Sequence, residues 1–162
     1  MATKMVLSNP DSITEENVIE MMTQLGEGAT LREMRGITDA EMEAIYAMGV
    51  NFYKAGNYDD AEKVFKFLVM FDHMSSRYWT AMGSLRQVQR RFAQAVEAYK
   101  FASFLDLENP KPLYYAAECL VALGDKAKAL DALAAVDEFA AKDAKGAQFR
   151  AKAAALRALI EK

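Results

Sequence analysis

One cysteine, one histidine and no long apolar run narrow what this chain of 162 residues can be. Cys119 alone cannot build an intramolecular disulfide framework. No stretch of about 18 apolar residues exists, which excludes a transmembrane helix. No basic start leads into an apolar secretory stretch, so the expected compartment is the cytoplasm. His73 is the sole imidazole, no Cys/His cluster has metal-ligand spacing, and no Gly-rich loop is available to cradle phosphate. No cofactor and no metal are therefore expected. The adjacent acids Asp59-Asp60 and Asp137-Glu138 read as solvated groups on helix starts and surfaces, not as an acid–base pair. His73 and Cys119 stand 46 residues apart, and a lone Cys is more often core than nucleophile. The chain does not read as an enzyme.

A basic excess is also missing. The formal net charge is −3, with 8 acids against 3 bases in residues 1–41, 8 against 8 in 42–109 and 7 against 9 in 110–162. Phosphate binding has little to rest on, and nucleic acid is not an expected partner. A composition of 52% apolar and 27% charged residues is otherwise that of an ordinary soluble domain.

What is present is an internal repeat. Segments of 34 residues starting at Met42, Ser76 and Pro110 superimpose without a gap. Ala61, Ala95 and Ala129 recur at the twentieth position, Phe65, Tyr99 and Leu133 four residues later, and Gly49, Gly83 and Ala117 at the eighth. The middle copy carries Trp79, Met82 and Gly83, and Gly56 and Gly124 mark the turns of the outer copies. This is the tetratricopeptide period and pattern. The fold class is all-α, with three tandem tetratricopeptide repeats (42–75, 76–109 and 110–143) forming an α-solenoid with a concave groove. Helix pairs are expected at 42–55 with 59–72, 76–89 with 93–106, and 110–123 with 127–140. Small residues at positions eight and twenty let the two helices cross closely, while the bulky residue at twenty-four fills the gap beside them.

The flanks lie outside this register. Residues 1–11 read as a disordered leader, and 12–41 as an N-terminal helical segment. Ser12 with Glu15 forms a capping box there, ahead of Val18, Ile19, Met22 and Leu25, and Gly26 and Gly28 stop the run. Leu31, Met34 and Ile37 make a small apolar face, and Thr38 with Glu41 caps the entry to the first repeat. Asn57 and the Asn109-Pro110 pair start further helices. Residues 144–162, with Phe149, Ala153, Leu156, Leu159 and Ile160 on one side, read as a C-terminal capping helix; dimerisation is the other use such a helix has. The whole is expected to be a single domain.

The concave side is lined by positions two, five, nine and twelve of each first helix. These are Glu43, Tyr46, Val50 and Tyr53, then Arg77, Thr80, Ser84 and Gln87, then Lys111, Tyr114, Glu118 and Val121. Tyr46, Val50 and Tyr53 share one helix face and make pockets for apolar side chains, unless the rings pack into the neighbouring helix instead. A carboxylate clamp of the heat-shock chaperone type needs Lys and Asn at positions five and nine of the first copy. Tyr46 and Val50 stand there, so a buried carboxylate would be uncompensated.

Beyond the generic repeat, the chain resembles the class II chaperones of bacterial type III secretion. The residues that carry the likeness are Gly28-Ala29-Thr30-Leu31, Ala44-Ile45-Tyr46, and Phe52-Tyr53-Lys54-Ala55-Gly56-Asn57-Tyr58. It continues through Ala61, Phe65, Leu68, Asp72-His73, Ser76-Arg77-Tyr78-Trp79, Gly83, Arg86-Gln87, Ala95, Tyr99 and Ala116-Ala117-Glu118-Cys119-Leu120. The resemblance implies a non-enzymatic chaperone of the bacterial cytoplasm that keeps hydrophobic translocator proteins, two in number, soluble before secretion. A generic tetratricopeptide scaffold joining proteins is the alternative. The family binds an extended Pro-x-Leu-x-x-Pro segment in its groove, and by position Tyr46, Val50, Tyr53, Tyr58, Phe71 and His73 match its pocket. With the groove residues Arg77, Thr80, Ser84, Gln87, Tyr114 and Glu118 they make the expected peptide-binding set. The resemblance further implies a homodimer in the absence of cargo, through Val18, Ile19, Met22 and Leu25, and leaves open a transcriptional activator as an additional partner. The chain departs from the family in having Val50 where an aromatic is common and Arg90-Arg91 where Gly often begins the second turn.

Overall fold

The computed structural model describes residues 15–162, all of whose regular structure is helical. The leader at 1–11 and the cap at Ser12 fall outside the described residues. The chain divides between Met74 and Ser75 into two compact units, where the sequence reads as one uninterrupted array. No described helix is long and apolar enough to cross a membrane.

In the first unit, α1 (Glu15–Gly26) precedes the short α2 (Leu31–Arg35), then α3 (Asp39–Lys54) and α4 (Tyr58–Phe71). Two capping boxes set the starts of α2 and α3. Thr30 and Thr38 accept from the backbone N–H of Glu33 and Glu41, whose carboxylates accept the N–H of Thr30 and Thr38, each at 2.8 Å. These contacts satisfy helix-end donors that water would otherwise have to reach. They also make α3 begin three residues before the expected Met42, because the cap governs the start and the repeat register does not. Arg32 bonds Asp39 and lies 3.6 Å from Asp72, tying α2 to the start of α3 and the end of α4. The core of this unit is Met42, Ala61, Val64, Phe65 and Leu68, with Met34 at its edge.

The second unit holds α5 (Ser76–Val88), α6 (Phe92–Leu105), α7 (Pro110–Ala122), α8 (Lys126–Phe139) and α9 (Ala144–Ile160). Successive helices pack on one another, and α9 packs on both α7 and α8. One core runs through all of them but α5, from Ala95 and Tyr99 through Ala117, Cys119, Ala129 and Leu133 to Phe149, Ala153 and Ile160; Met82 and Leu85 of α5 are likewise fully buried. Asn109 caps α7 at Lys111 N–H with Pro110 in the first turn. Asp143 caps α9 at Gly146 N–H, where a Cβ would sit 1.8 Å from the Ala141 carbonyl oxygen.

The crossing of paired helices follows the repeat pattern. A Cβ on Gly49 would lie 2.6 Å from the Phe65 ring, and one on Gly83 2.6 Å from the Tyr99 ring. The third copy has Ala117 opposite Leu133, both fully buried. A branched aliphatic side chain there leaves room for the methyl that an aromatic ring excludes.

Each pair turns in three residues, closed by the same backbone bonds. Asn57 N–H donates to Phe52 O (2.9 Å), Arg91 N–H to Arg86 O (2.8 Å) and Asp125 N–H to Leu120 O (2.9 Å). This closure requires a left-handed residue just past the helix. Gly56 and Gly124 supply it with φ of 75° and 79°, and Arg90 adopts it at 60° without being glycine. Arginine thus bears a left-handed conformation that costs roughly 1–2 kcal/mol for a side chain with a Cβ.

Candidate functional site

In the first unit, α3 presents Tyr46, Val50 and Tyr53, all half-buried, with Glu43 exposed. Tyr46 leans on Phe65 with ring centroids 6.3 Å apart, and Tyr53 meets Tyr58 at 5.9 Å. The tyrosines therefore do both things the sequence allowed: one edge packs inward and the rest stays open. Phe71 stacks on Phe67 at 4.2 Å, and His73 is exposed just beyond α4. Tyr46, Val50, Tyr53 and Tyr58 make a part-open, mostly aromatic surface with Val50 as its smallest member. It offers apolar contact and hydroxyls, without a formal charge on the four residues Tyr46, Val50, Tyr53 and Tyr58.

The second unit presents a different chemistry. Ser84 Oγ donates to the Thr80 carbonyl (3.0 Å) and lies 3.3 Å from Tyr99 Oη, which donates to Gln87 Oε1 at 2.7 Å. Gln87 Nε2 in turn donates to Glu118 at 3.1 Å. The same carboxylate hydrogen-bonds Tyr114, whose phenol is pushed up to about 12 by burial first and by the Glu118 charge and hydrogen bond second. Ser84, Gln87, Tyr114 and Glu118 are thus brought together in one polar network across α5, α6 and α7. Arg77 is exposed at the start of α5. Thr80 is buried, its hydroxyl donating to the Ser76 carbonyl at 2.8 Å; it supports the wall behind this face and does not line it.

Sequence reasoning missed part of this neighbourhood. Tyr114 sits edge-on to Tyr115 at 5.5 Å and to Phe149 of α9 at 5.6 Å, and Lys152 Nζ lies over both Tyr114 and Phe149. The signal was available, since the 34-residue count continues from Pro110 into α9.

On α1, Ile19 and Met22 are 59% and 66% exposed and Leu25 is half-buried; the side chain of Val18 lies outside the described residues. Extended contact between α1 and another helix is absent among the described residues. Cys119 is fully buried, and burial together with the nearby Glu118 charge pushes its thiol up to about 12. Among the described residues no group of three or more His, Cys, Asp or Glu could hold a metal ion.

Paired helices with a part-open aromatic surface and a polar network define a tetratricopeptide-repeat protein of the kind that holds a polypeptide partner. The tetratricopeptide repeat family matches residues 42–73 and 78–109. Low calcium response locus protein H of Yersinia pestis is 32% identical over 128 residues, covering 79% of this chain and 76% of that protein. Among solved structures, a T3SS complex from Aeromonas hydrophila aligns with TM-score 0.83 at 29% identity, over 88% of this chain and 95% of that one. PcrH, a Pseudomonas aeruginosa protein, in complex with the chaperone binding region of PopD aligns with TM-score 0.73 at 32% identity, over 78% and 95%. The chain belongs to the class II translocator chaperones of type III secretion.

Proposed function

We propose that this protein binds hydrophobic translocator subunits in the bacterial cytoplasm and keeps them soluble until they are secreted. The observation that carries the reading is the part-open aromatic surface of Tyr46, Val50, Tyr53 and Tyr58 in a chain 32% identical to PcrH, whose structure holds the chaperone binding region of PopD. An extended Pro-x-Leu-x-x-Pro segment suits such a surface. Prolines keep the segment out of helix and sheet pairing, so its side chains are free to enter pockets between rings. Phe71 and His73 belong to the same proposed set in the first unit, and Arg77, Ser84, Gln87, Tyr114 and Glu118 to the set in the second. Thr80 acts there only from behind, through its place under Ser84. The role is a binding one without chemistry: the single thiol is buried and protonated. Without cargo, the open apolar residues Ile19 and Met22 of α1 are assigned to a contact with a second copy, together with Leu25 and Val18.

Co-expression tests the reading. A translocator subunit that is insoluble alone should become soluble with the wild-type chain and remain insoluble with Tyr46→Ala/Tyr53→Ala, whose helical circular dichroism should stay near wild type. Solubilisation by a folded double variant would remove the aromatic surface from the binding site.

A further inference from the structure

Thirty-four residues beyond Pro110 is Ala144, the first residue of α9. In this register Lys145, Gln148, Lys152 and Ala155 occupy positions two, five, nine and twelve, the places that line the face on each earlier first helix. The packing agrees with the count. α9 lies against α7 and α8, and Lys152 Nζ is 5.9 Å from the ring centroid of Tyr114 and 4.9 Å from that of Phe149. Tyr114 is position five of the preceding copy and joins the network that runs to Glu118, Gln87 and Ser84. Lys152 therefore extends a continuous surface already assigned to the partner.

The charge on α9 is one-sided: it carries Lys145, Arg150, Lys152 and Arg157 and no acid. Arg157 is paired with Asp137 at 2.6 Å, and Arg150 donates to the Ala140 and Ala141 carbonyls. Lys152 is exposed, and its ammonium has no carboxylate partner among the described residues. It rests instead on two aromatic rings. That contact holds the cation in place while leaving its charge uncompensated, and the rings exclude water from one side of it. Glu118, the acid nearest in the network, is already occupied by Gln87 and Tyr114.

We propose that α9 is a fourth wall of the partner-binding face and that Lys152 receives a carboxylate side chain of the bound segment. Acidic residues flanking the apolar binding motif then raise affinity. The inference rests on the peptide-binding reading above, and the experiment separates the two.

Fluorescence anisotropy is measured with labelled peptides that share the core Pro-Ala-Leu-Ala-Ala-Pro and carry a Gln-rich, an Asp-rich or a Lys-rich tail at either end. An Asp-rich tail at one of the ends should tighten binding to the wild-type protein by about two- to fivefold over the Gln-rich tail, the scale of a partly exposed ion pair. The gain, taken as the ratio of the Asp-rich to the Gln-rich affinity of the same protein, should fade in high salt and disappear in Lys152→Gln. Lys152→Glu should prefer the Lys-rich tail. An Asp-rich tail without advantage, or an advantage that survives Lys152→Gln, overturns the assignment of Lys152 and leaves the core reading intact. Failure of the Gln-rich peptide to bind wild type overturns both.

Discussion

Replacing Gly83 by alanine is the sharpest test of how the paired helices cross. The added methyl would stand 2.6 Å from two ring carbons of Tyr99 and 2.9 Å from a third, whereas carbon atoms rest at about 3.5–4.0 Å. One side must therefore give by about an ångström. Tyr99 has little freedom to do so: it is 1% exposed, its hydroxyl is bonded to Gln87 at 2.7 Å, and its ring stacks with Tyr115 at 6.1 Å. Overpacking of this kind costs about 1–3 kcal/mol, and stretching the hydroxyl contact costs about 1 kcal/mol more. Alanine returns about 1 kcal/mol through helix propensity. The expected net loss is about 1–3 kcal/mol, read as a lower urea midpoint at unchanged slope by circular dichroism. The third copy suggests the rescue. Gly83→Ala with Tyr99→Leu recreates the Ala117–Leu133 pair, and the double variant should be more stable than the sum of the single changes by at least about 1 kcal/mol. A neutral or stabilising Gly83→Ala, or single effects that add within about 0.5 kcal/mol, would refute the close-crossing argument.

Arg90→Gly should raise stability by about 0.5–1 kcal/mol, because glycine adopts the left-handed turn without the Cβ penalty; a lower urea midpoint would count against strain at this turn. Cys119 should resist a thiol reagent such as Ellman's at pH 8 in the native protein and react fully in urea, since burial holds its thiol near 12; rapid native labelling would contradict its placement. Thr30→Ala should cost about 0.5–2 kcal/mol by uncapping α2, measured by urea unfolding. The Glu33 side of the same box has a pH signature. Its carboxyl is held below the ordinary value of 4.5, first by the backbone N–H of Thr30 and then by the Thr30 hydroxyl. The stabilisation is therefore complete above about pH 4.5 and is lost as pH falls through the lowered folded value. An acid titration of Thr30→Ala should show a smaller acid-side loss than wild type, and identical profiles would argue against the box.

The helix pairs were legible because their signals are local and repeated. Every helix from α4 to α8 starts and ends within one residue of the span read from the 34-residue register, and Thr38 with Glu41 caps α3 as the sequence spacing indicates. The Thr30–Glu33 box has the same spacing but heads a helix of only five residues, so the small apolar face of Leu31, Met34 and Ile37 is legible while the cap that starts it is easily passed over. Arg90 could be recognised as a departure from glycine, yet whether the backbone would abandon the left-handed turn or strain into it depends on the hydrogen bond from Arg91 to Arg86. The face residues were harder. Position twelve of the second copy says only that Gln87 is polar; that it links Tyr99 to Glu118 depends on three helices meeting. Thr80 illustrates the reverse: a register place assigned to the face became a buried hydroxyl because its own helix carbonyl satisfies it. Lys152 is hard to place from sequence because its helix, α9, has no partner helix after it among the described elements to mark it as part of a repeat.

The three-residue turns at 55–57, 89–91 and 123–125 are each closed by their own backbone, with the bond from the third turn residue reaching back to the helix just ended. They behave as joints of fixed length and free spelling. A substitution other than proline keeps the closing bond and changes the strain at one angle, as at Arg90, or a side-chain cap, as at Asp125. One inserted residue would break the closing bond and rotate the following helix by about 100°, carrying its apolar stripe off the crossing. Descendants of such a chain can therefore drift in the letters of their turns while the spacing between paired helices stays locked, and insertions should collect elsewhere.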